Sequence, residues 1–418
     1  MMSNYLGMTL KTNMMEGRPT RSKSGGDYPG MPIPPCGDYD IKKASKVPRP
    51  PWLPAIVEGK AMSLDEEIRI FMRYMEPTAQ EVRMRKGLVR RFTKLIASFN
   101  INASVQPVGS YVTGLYLPTS DIDMVLTFQL GLASSLSYNY SSSSRLLVLL
   151  GKIRDSGFAS KVVDVLNASV PLIRITDKIT GIEIDLTAAD THAVRATEAV
   201  QKWLQHSSLV KPLLFVVKMF LSIRRCGTTY TGGINSYALF WMVVAWVKLE
   251  MPKQKRVASS ANDLSSVTAA FGGLSMSKQN VATSSSSSEG EDLGELLIKF
   301  LKFYAEEFDC YTNAIRIEPT PAYHTKSYGY SRYPITQRYL LSIYDPADAF
   351  VDMGSKAYGI THIQASFKSA YQTLADVEAK RKSGKRVGEA GVLGMILGGD
   401  YTKPASEMKM LASDYWLP

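Results

Sequence analysis

Two carboxylates lie one residue apart in the run Ser120-Asp121-Ile122-Asp123-Met124-Val125. Side chains alternate along a strand, so Asp121 and Asp123 point to one face, while Ile122, Met124 and Leu126 occupy the other and give the strand a core to pack on. Adjacent acids repel, at a cost in stability, unless a cation sits between them. A divalent ion with hard oxygen ligands, such as Mg²⁺, suits the pair. Upstream, Gly109 lets the backbone turn tightly and approach a ligand, and Ser110 can cap a helix or donate to a phosphate oxygen. A phosphate-binding turn beside a metal-binding acid pair is what nucleotidyl transfer requires. Taken singly, Gly-Ser is an ordinary turn and Asp-Ile-Asp an exposed strand end. Their proximity, joined by Thr-Gly-Leu-Tyr-Leu-Pro-Thr-Ser, argues against that reading.

A third acid comes from Ile182-Glu183-Ile184-Asp185-Leu186, which alternates strictly. Ile182, Ile184 and Leu186 face a core; Glu183 and Asp185 share the opposite face. If this strand lies beside residues 121–128, Asp185 joins the pair, with Glu183 as the competing choice.

The elements that must position these groups can be read from periodicity. Ser63 with Glu66 three residues on forms a capping box for a helix over Leu64–Met75, which Pro77 stops. Thr78 opens a second helix through Ile96, and residues 105–108 form the strand ahead of the glycine-serine turn. Residues 131–144 are serine-rich and read as a loop, followed by a helix over 146–156. Strands follow at 160–165 and 172–177, then helices at 191–206, 210–224, 238–249, 293–308 and 360–374. Gly232-Gly233 frees the backbone at the start of the helix over 238–249, another natural anion site.

At this point the chain resembles a known family. Gly-Ser-x-x-Thr-Gly-Leu-Tyr-Leu-Pro-Thr-Ser-Asp-Ile-Asp is similar to the signature of the DNA polymerase β-like nucleotidyltransferases, and within them the chain most resembles the noncanonical poly(A) polymerases of the TRAMP type. The resemblance covers about residues 50–375. It implies an α+β fold in which a polymerase β-like nucleotidyltransferase domain with a mixed sheet, residues 85–200, is inserted into a helical central domain of residues 52–84 and 201–375. It places the third metal-binding acid at Asp185, triphosphate contacts at Lys218 and Ser236 beside Gly109 and Ser110, and base stacking at Tyr237. Thr197 aligns with a ribose or phosphate contact. Asp345, Asp348 and Val351 fall in the nucleotide-recognition loop, where polyadenylating members carry Asn and uridylating members His at the position of Val351. Valine offers neither donor nor acceptor, so base choice stays open between adenylate, uridylate and mixed tailing.

The resemblance further implies Mg²⁺ or Mn²⁺ as cofactor, ATP and an RNA 3′ end as substrates, a zinc-knuckle RNA-binding protein and an RNA helicase as partners, and a nuclear location. A catalytically inactive scaffold is the remaining alternative; an intact acid triad argues against it.

Composition is consistent with this and bounds it loosely. A net charge of +11 over 418 residues favours polyanionic partners. Cys36, Cys226 and Cys310 form neither a zinc pattern nor a disulfide framework, which fits a reducing compartment. No apolar run reaches membrane-spanning length, and no secretory signal opens the chain. Residues 1–50 read as a disordered basic arm, 252–294 as a low-complexity insertion with five serines at 284–288, and 376–418 as a flexible tail.

Overall fold

The computed structural model describes residues 30–35, 49–53, 62–128, 141–168, 170–188, 191–253, 291–326, 337–385 and 391–398. The architecture is α+β, as expected, and its core divides into two buried clusters.

The first cluster surrounds a five-stranded mixed sheet. In chain order its strands are β1 (Ala103–Pro107), β2 (Ile122–Phe128), β3 (Ala159–Val165), β4 (Leu172–Asp177) and β5 (Glu183–Thr187), and in space they run β1-β2-β5-β4-β3. Only β2 and β5 pair in parallel; the other neighbours are antiparallel. Ile122, Met124, Leu126, Ile173, Ile175, Ile184 and Leu186 pack from one face of the sheet against Leu88, Phe92 and Ile96 of a helix over Ala79–Ser98 and Leu146, Leu149 and Ile153 of a helix over Ser142–Asp155. Thr78 caps the first of these through its side chain, and Ser141 caps the second, which therefore starts earlier than the loop expected through residue 144.

The second cluster is helical. Helix α1 (Leu64–Met75) opens on the expected capping box, with Ser63 N donating to Glu66 Oε2 at 2.7 Å and Glu66 N donating to Ser63 Oγ at 3.2 Å. It packs with helices over His192–Leu204, Val210–Ile223, Ser236–Leu249, Leu293–Lys302 and Ile360–Lys382. Helix Ser236–Leu249 is buried nearly all round, with Trp241 and Trp246 among the largest enclosed side chains. The helix expected over 293–308 leaves α geometry at Phe303, where a five-residue π turn runs to Glu307. Cys226 and Cys310 are buried free thiols; Cys36 lies outside the described residues.

Several expectations need correction. The expected divisions at 84/85 and 200/201 both fall inside helices, Ala79–Ser98 and His192–Leu204. The tail expected to be flexible from residue 376 is ordered as far as the helix end at Lys382 and again over 391–398, where Val392, Leu393, Ile396 and Leu397 are buried. This segment docks because backbone N–H groups of Val392, Leu393 and Gly394 donate to the buried Glu67 carboxylate of α1, at 2.7, 2.8 and 3.3 Å. Trp52 Nε1 donates to the same group at 3.1 Å. Part of the arm is also ordered: Met31 N donates to His362 Nδ1 at 3.1 Å and Ile33 N to Ser366 Oγ at 2.8 Å, laying residues 30–35 along the last long helix. Most of the expected insertion, residues 254–290, lies outside the described residues, as does residue 399 onward. Among the described residues no helix is long and apolar enough to cross a membrane.

Candidate active site

The parallel pairing of β2 with β5 sets Asp123 directly beside Asp185. Glu183 lies one pleat back, opposite Thr176 of β4. Asp121 sits just ahead of β2, in a segment fixed from below by a buried arginine. Arg85 donates to Ser120 O and Pro118 O, both at 2.9 Å, and to Glu81 Oε1 at 3.0 Å. Each of the three guanidinium nitrogens thereby donates, which offsets much of the cost of burying the charge. Ser120 closes the turn by accepting from Leu117 N at 3.0 Å.

The glycine-serine turn is tied to the same strand by Val108 N donating to Asp123 O at 2.9 Å. Gly109 adopts φ +67, and a Cβ there would lie 2.8 Å from Asp123 Oδ2. Both the left-handed backbone and the close approach disfavour a side chain there. The Gly109 N–H donates to Thr197 Oγ1 at 2.9 Å, and Thr197 donates in turn to Ala193 O at 2.8 Å. In this structure Thr197 therefore holds the turn, although it also lines the cleft.

That cleft has a volume of about 970 Å³ and is walled by both halves of the molecule. Asp121, Asp123, Gly109 and Ser110 line it from the sheet side; Thr197, Lys218, Ser236, Tyr237, Asp348 and Val351 line it from the helical side. Asp345, expected as a nucleotide contact, does not reach it. Its carboxylate is buried, accepting from Tyr237 OH and Ala347 N, both at 2.8 Å. Asp345 thus fixes the Tyr237 ring by its hydroxyl. Asn235, not Ser236, caps the helix that carries Tyr237, and Ser236 stands exposed at its first turn. Gly233 permits this entry, since a Cβ would fall 2.0 Å from Cys226 O.

The electrostatics follow from these placements. Burial, and then repulsion from Asp121 and Asp185, pushes Asp123 up to about 7. Burial followed by the Asp185 charge raises Asp121 as well. Lys218, whose ammonium donates to Leu115 O at 2.7 Å, is pushed down to about 8 by burial, against the pull of Asp121 and Asp123. The donor set at Asp121 and Asp123 fits a divalent cation: two carboxylates confined together, both resisting ionisation, with a cleft in front.

Asp185 is engaged elsewhere. Arg174, its cross-strand partner on β4, grips it in a bidentate pair, Nε to Oδ1 at 2.8 Å and Nη2 to Oδ2 at 2.6 Å. The same guanidinium lies 3.6 Å from Glu183 and 3.9 Å from Asp121. Consequently, among the described residues no three acidic, histidine or cysteine side chains converge on one ion position. Arg174 was not singled out from the sequence, although its strand alternation, once β4 is paired with β5, puts it on the acids' face. A second unforeseen residue, His192, places Nε2 2.8 Å from Asp345 Oδ2 and also lines the cleft.

A mixed sheet carrying paired acids on the strand after a glycine-serine turn, facing a helical half across a cleft, is the arrangement expected of a polymerase β-like nucleotidyltransferase. Residues 64–205 match the central palm domain of the mitochondrial-like poly(A) RNA polymerases, and residues 292–349 match the Cid1 family poly(A) polymerase domain. The polymerase core of TRAMP, an RNA surveillance complex, superposes with a TM-score of 0.63 at 26% identity, covering 80% of this chain and 92% of that one. Poly(A) RNA polymerase protein 2 of Saccharomyces cerevisiae is 26% identical over 331 residues, 78% of this chain and 50% of its own length. A Drosophila melanogaster relative, the inactive poly(A) RNA polymerase Trf4-2, is 28% identical over 338 residues, 78% of this chain and 73% of its own. The chain is thus similar to noncanonical poly(A) polymerases, the polymerase core of TRAMP among them. It spans half or less of the length of the first curated relatives it matches.

Proposed function

We propose that the protein adds ribonucleotides, chiefly AMP from ATP, to RNA 3′ ends. The observation that carries this reading is the β2/β5 register, which pairs Asp185 with Asp123, a residue lining the cleft that also holds Gly109, Ser110 and Lys218. Asp121 and Asp123, joined by Asp185 once Arg174 releases it, would hold Mg²⁺ or Mn²⁺; ions there supply activation of the primer 3′-hydroxyl and neutralisation of the departing pyrophosphate. The chain's own groups do the rest. Lys218, Ser110 and Ser236 face the triphosphate, Tyr237 offers a flat face to the base, and its hydroxyl bond to Asp345 keeps that face fixed. Asp185 or solvent takes the hydroxyl proton.

RNA 3′ ends are the acceptor in this reading, and a TRAMP-like assembly with a zinc-knuckle protein and a helicase supplies most of the RNA affinity. Action in nuclear RNA surveillance belongs to the same proposal and rests on the similarity to the TRAMP core. A second reading, tailing with uridylate or with mixed nucleotides, is favoured by one observation: Val351 lines the cleft, 39% exposed, with no polar atom to read a base.

The test is primer extension of a labelled oligoadenylate with each NTP separately, in Mg²⁺ or Mn²⁺, beside an Asp121→Ala/Asp123→Ala control. Extension mainly with ATP, absent in the control, is expected. Preference for UTP would move the protein to the uridylating reading. Extension that survives in the control would overturn the assignment of the acids.

A further inference from the structure

Arg174 stands on the acids' face of the sheet, on β4 directly opposite Asp185 of β5. Glu183 is the next residue of β5 on that face, opposite Thr176. Diagonal neighbours across an antiparallel pair lie within reach of a long side chain. One guanidinium is therefore set among three carboxylates. It holds Asp185 by both oxygens, at 2.8 and 2.6 Å, with Glu183 Oε2 3.6 Å from its Nε and Asp121 Oδ2 3.9 Å from its Nη2.

A divalent ion shared between Asp123 and Asp185 has to take an Asp185 oxygen, and each of those oxygens accepts from Arg174. The guanidinium must then give up at least one of its two bonds. Arginine cannot shed its proton to resolve the conflict, so it needs another acceptor. The two acids within reach are not equivalent. Asp121 lines the cleft and belongs to the acid pair itself, whereas Glu183 is not among the residues that line it. The Glu183 side chain is 44% exposed and that of Arg174 42%, against 8% for Asp185. Both ends of an Arg174–Glu183 pair can therefore shift without disturbing the core, and at 3.6 Å they already stand within ion-pair range.

We propose that Glu183 is a positioning residue for the metal site: it receives the Arg174 guanidinium as Asp185 is freed for the ion, and so sets how readily the third acid becomes a ligand. This rests on the nucleotidyltransferase reading of the acids and deepens it. Of the two carboxylates that share the polar face of β5, Asp185 is the ligand and Glu183 acts on it through the arginine. Without Glu183, moving Arg174 off Asp185 leaves water alone to replace a bidentate carboxylate.

The experiment is a double-mutant cycle on metal binding. The Mn²⁺ concentration giving half-maximal thermal stabilisation of the full chain is measured for the parent, Glu183→Gln, Arg174→Ala and the double variant, with Mn²⁺-dependent extension of an oligoadenylate recorded alongside. Glu183→Gln should raise the midpoint roughly threefold, the size of one half-exposed ion pair, because the arginine has lost its second acceptor. The Mn²⁺ dependence of extension should shift by the same factor. In the Arg174→Ala background the same substitution should move the midpoint by less than about 1.5-fold, since nothing remains for Glu183 to receive. A midpoint that does not rise in Glu183→Gln overturns the proposal. So does an equal rise with and without Arg174, which would make Glu183 a direct electrostatic contributor to the ion. A parent that shows the expected cycle but extends no primer with any NTP would refute the tailing reading and leave the role of Glu183 standing. A parent that Mn²⁺ does not stabilise would refute both.

Discussion

Replacing Asp123 with asparagine measures the price of confining the acid pair. In the folded protein Asp123 ionises at about 7, against 3.8 for an unhindered aspartate. The gap corresponds to about 4 kcal/mol, a ceiling, since the carboxylate keeps some contact with water in the cleft. The sign is that of an acid whose folded value is raised. Below 3.8 neither state is ionised and nothing is lost; from 3.8 to about 7 the unfolded chain releases a proton that the folded chain must keep, so stability falls; above about 7 the fall is complete. The substituted amide is neutral throughout and escapes this dependence. In EDTA, Asp123→Asn should exceed the parent in stability by under ~1 kcal/mol near about pH 4 and by up to ~4 kcal/mol near about pH 8. Urea denaturation at both pH values reads the difference. Added Mn²⁺ at the higher pH should stabilise the parent by mass action and the variant far less. Equal urea midpoints at the higher pH in EDTA, or a difference that does not grow with pH, would refute the account of the pair as mutually repelling and desolvated.

Three further outcomes follow from the geometry. Arg174→Ala frees both oxygens of Asp185, and the Mn²⁺ concentration needed for half-maximal thermal stabilisation should fall roughly tenfold; an unchanged midpoint would mean the guanidinium does not compete for the site. Gly109→Ala forces a methyl to within 2.8 Å of Asp123 Oδ2 at φ +67, so primer extension should be abolished while the melting temperature falls by only a few degrees, about 1–2 kcal/mol of local strain. Glu67→Ala strands three backbone N–H groups of residues 392–394, and should lower stability by about 2–4 kcal/mol and expose the chain after Lys385 to limited proteolysis.

The sequence displayed the parts of the site that obey local rules. Asp121 and Asp123 share a face because strands alternate, and the β-branched and leucine-rich alternation from Ile182 to Leu186 announced a strand with Asp185 on its polar side. The choice between Asp185 and Glu183 needed the register, which only the paired strands supply. Arg174 was hidden for the same reason: an arginine in Leu172–Asp177 looks like any solvated strand residue until β4 is laid against β5. His192 and Asp345 are 153 residues apart and carry no shared periodicity, so their pairing has no local signal. The ordered C-terminal segment was misread because its glycines suggest flexibility, whereas Gly391 makes room for Glu67, whose Oε2 a Cβ there would approach to 2.7 Å. Helix boundaries drifted where caps decided them, as with Ser141.

The docking of residues 392–394 on Glu67 has a consequence for the order in which the protein is made. The sheet half is drawn from one continuous stretch, Ala79 to Ala188, and contains all its own core partners. The helical half begins earlier, at Leu64, yet its first helix carries a buried carboxylate, and beyond Trp52 Nε1 its three backbone donors lie 325 to 327 residues downstream. During synthesis, therefore, the sheet can close while the chain is still growing, and the Glu67 carboxylate of the first helix lacks its three backbone donors until residues 392–394 have left the ribosome. The half that emerges first is closed last, so an arrest before residue 392 leaves a folded sheet half beside an unsealed helical half, which limited proteolysis distinguishes from the chain with residues 392–394 docked.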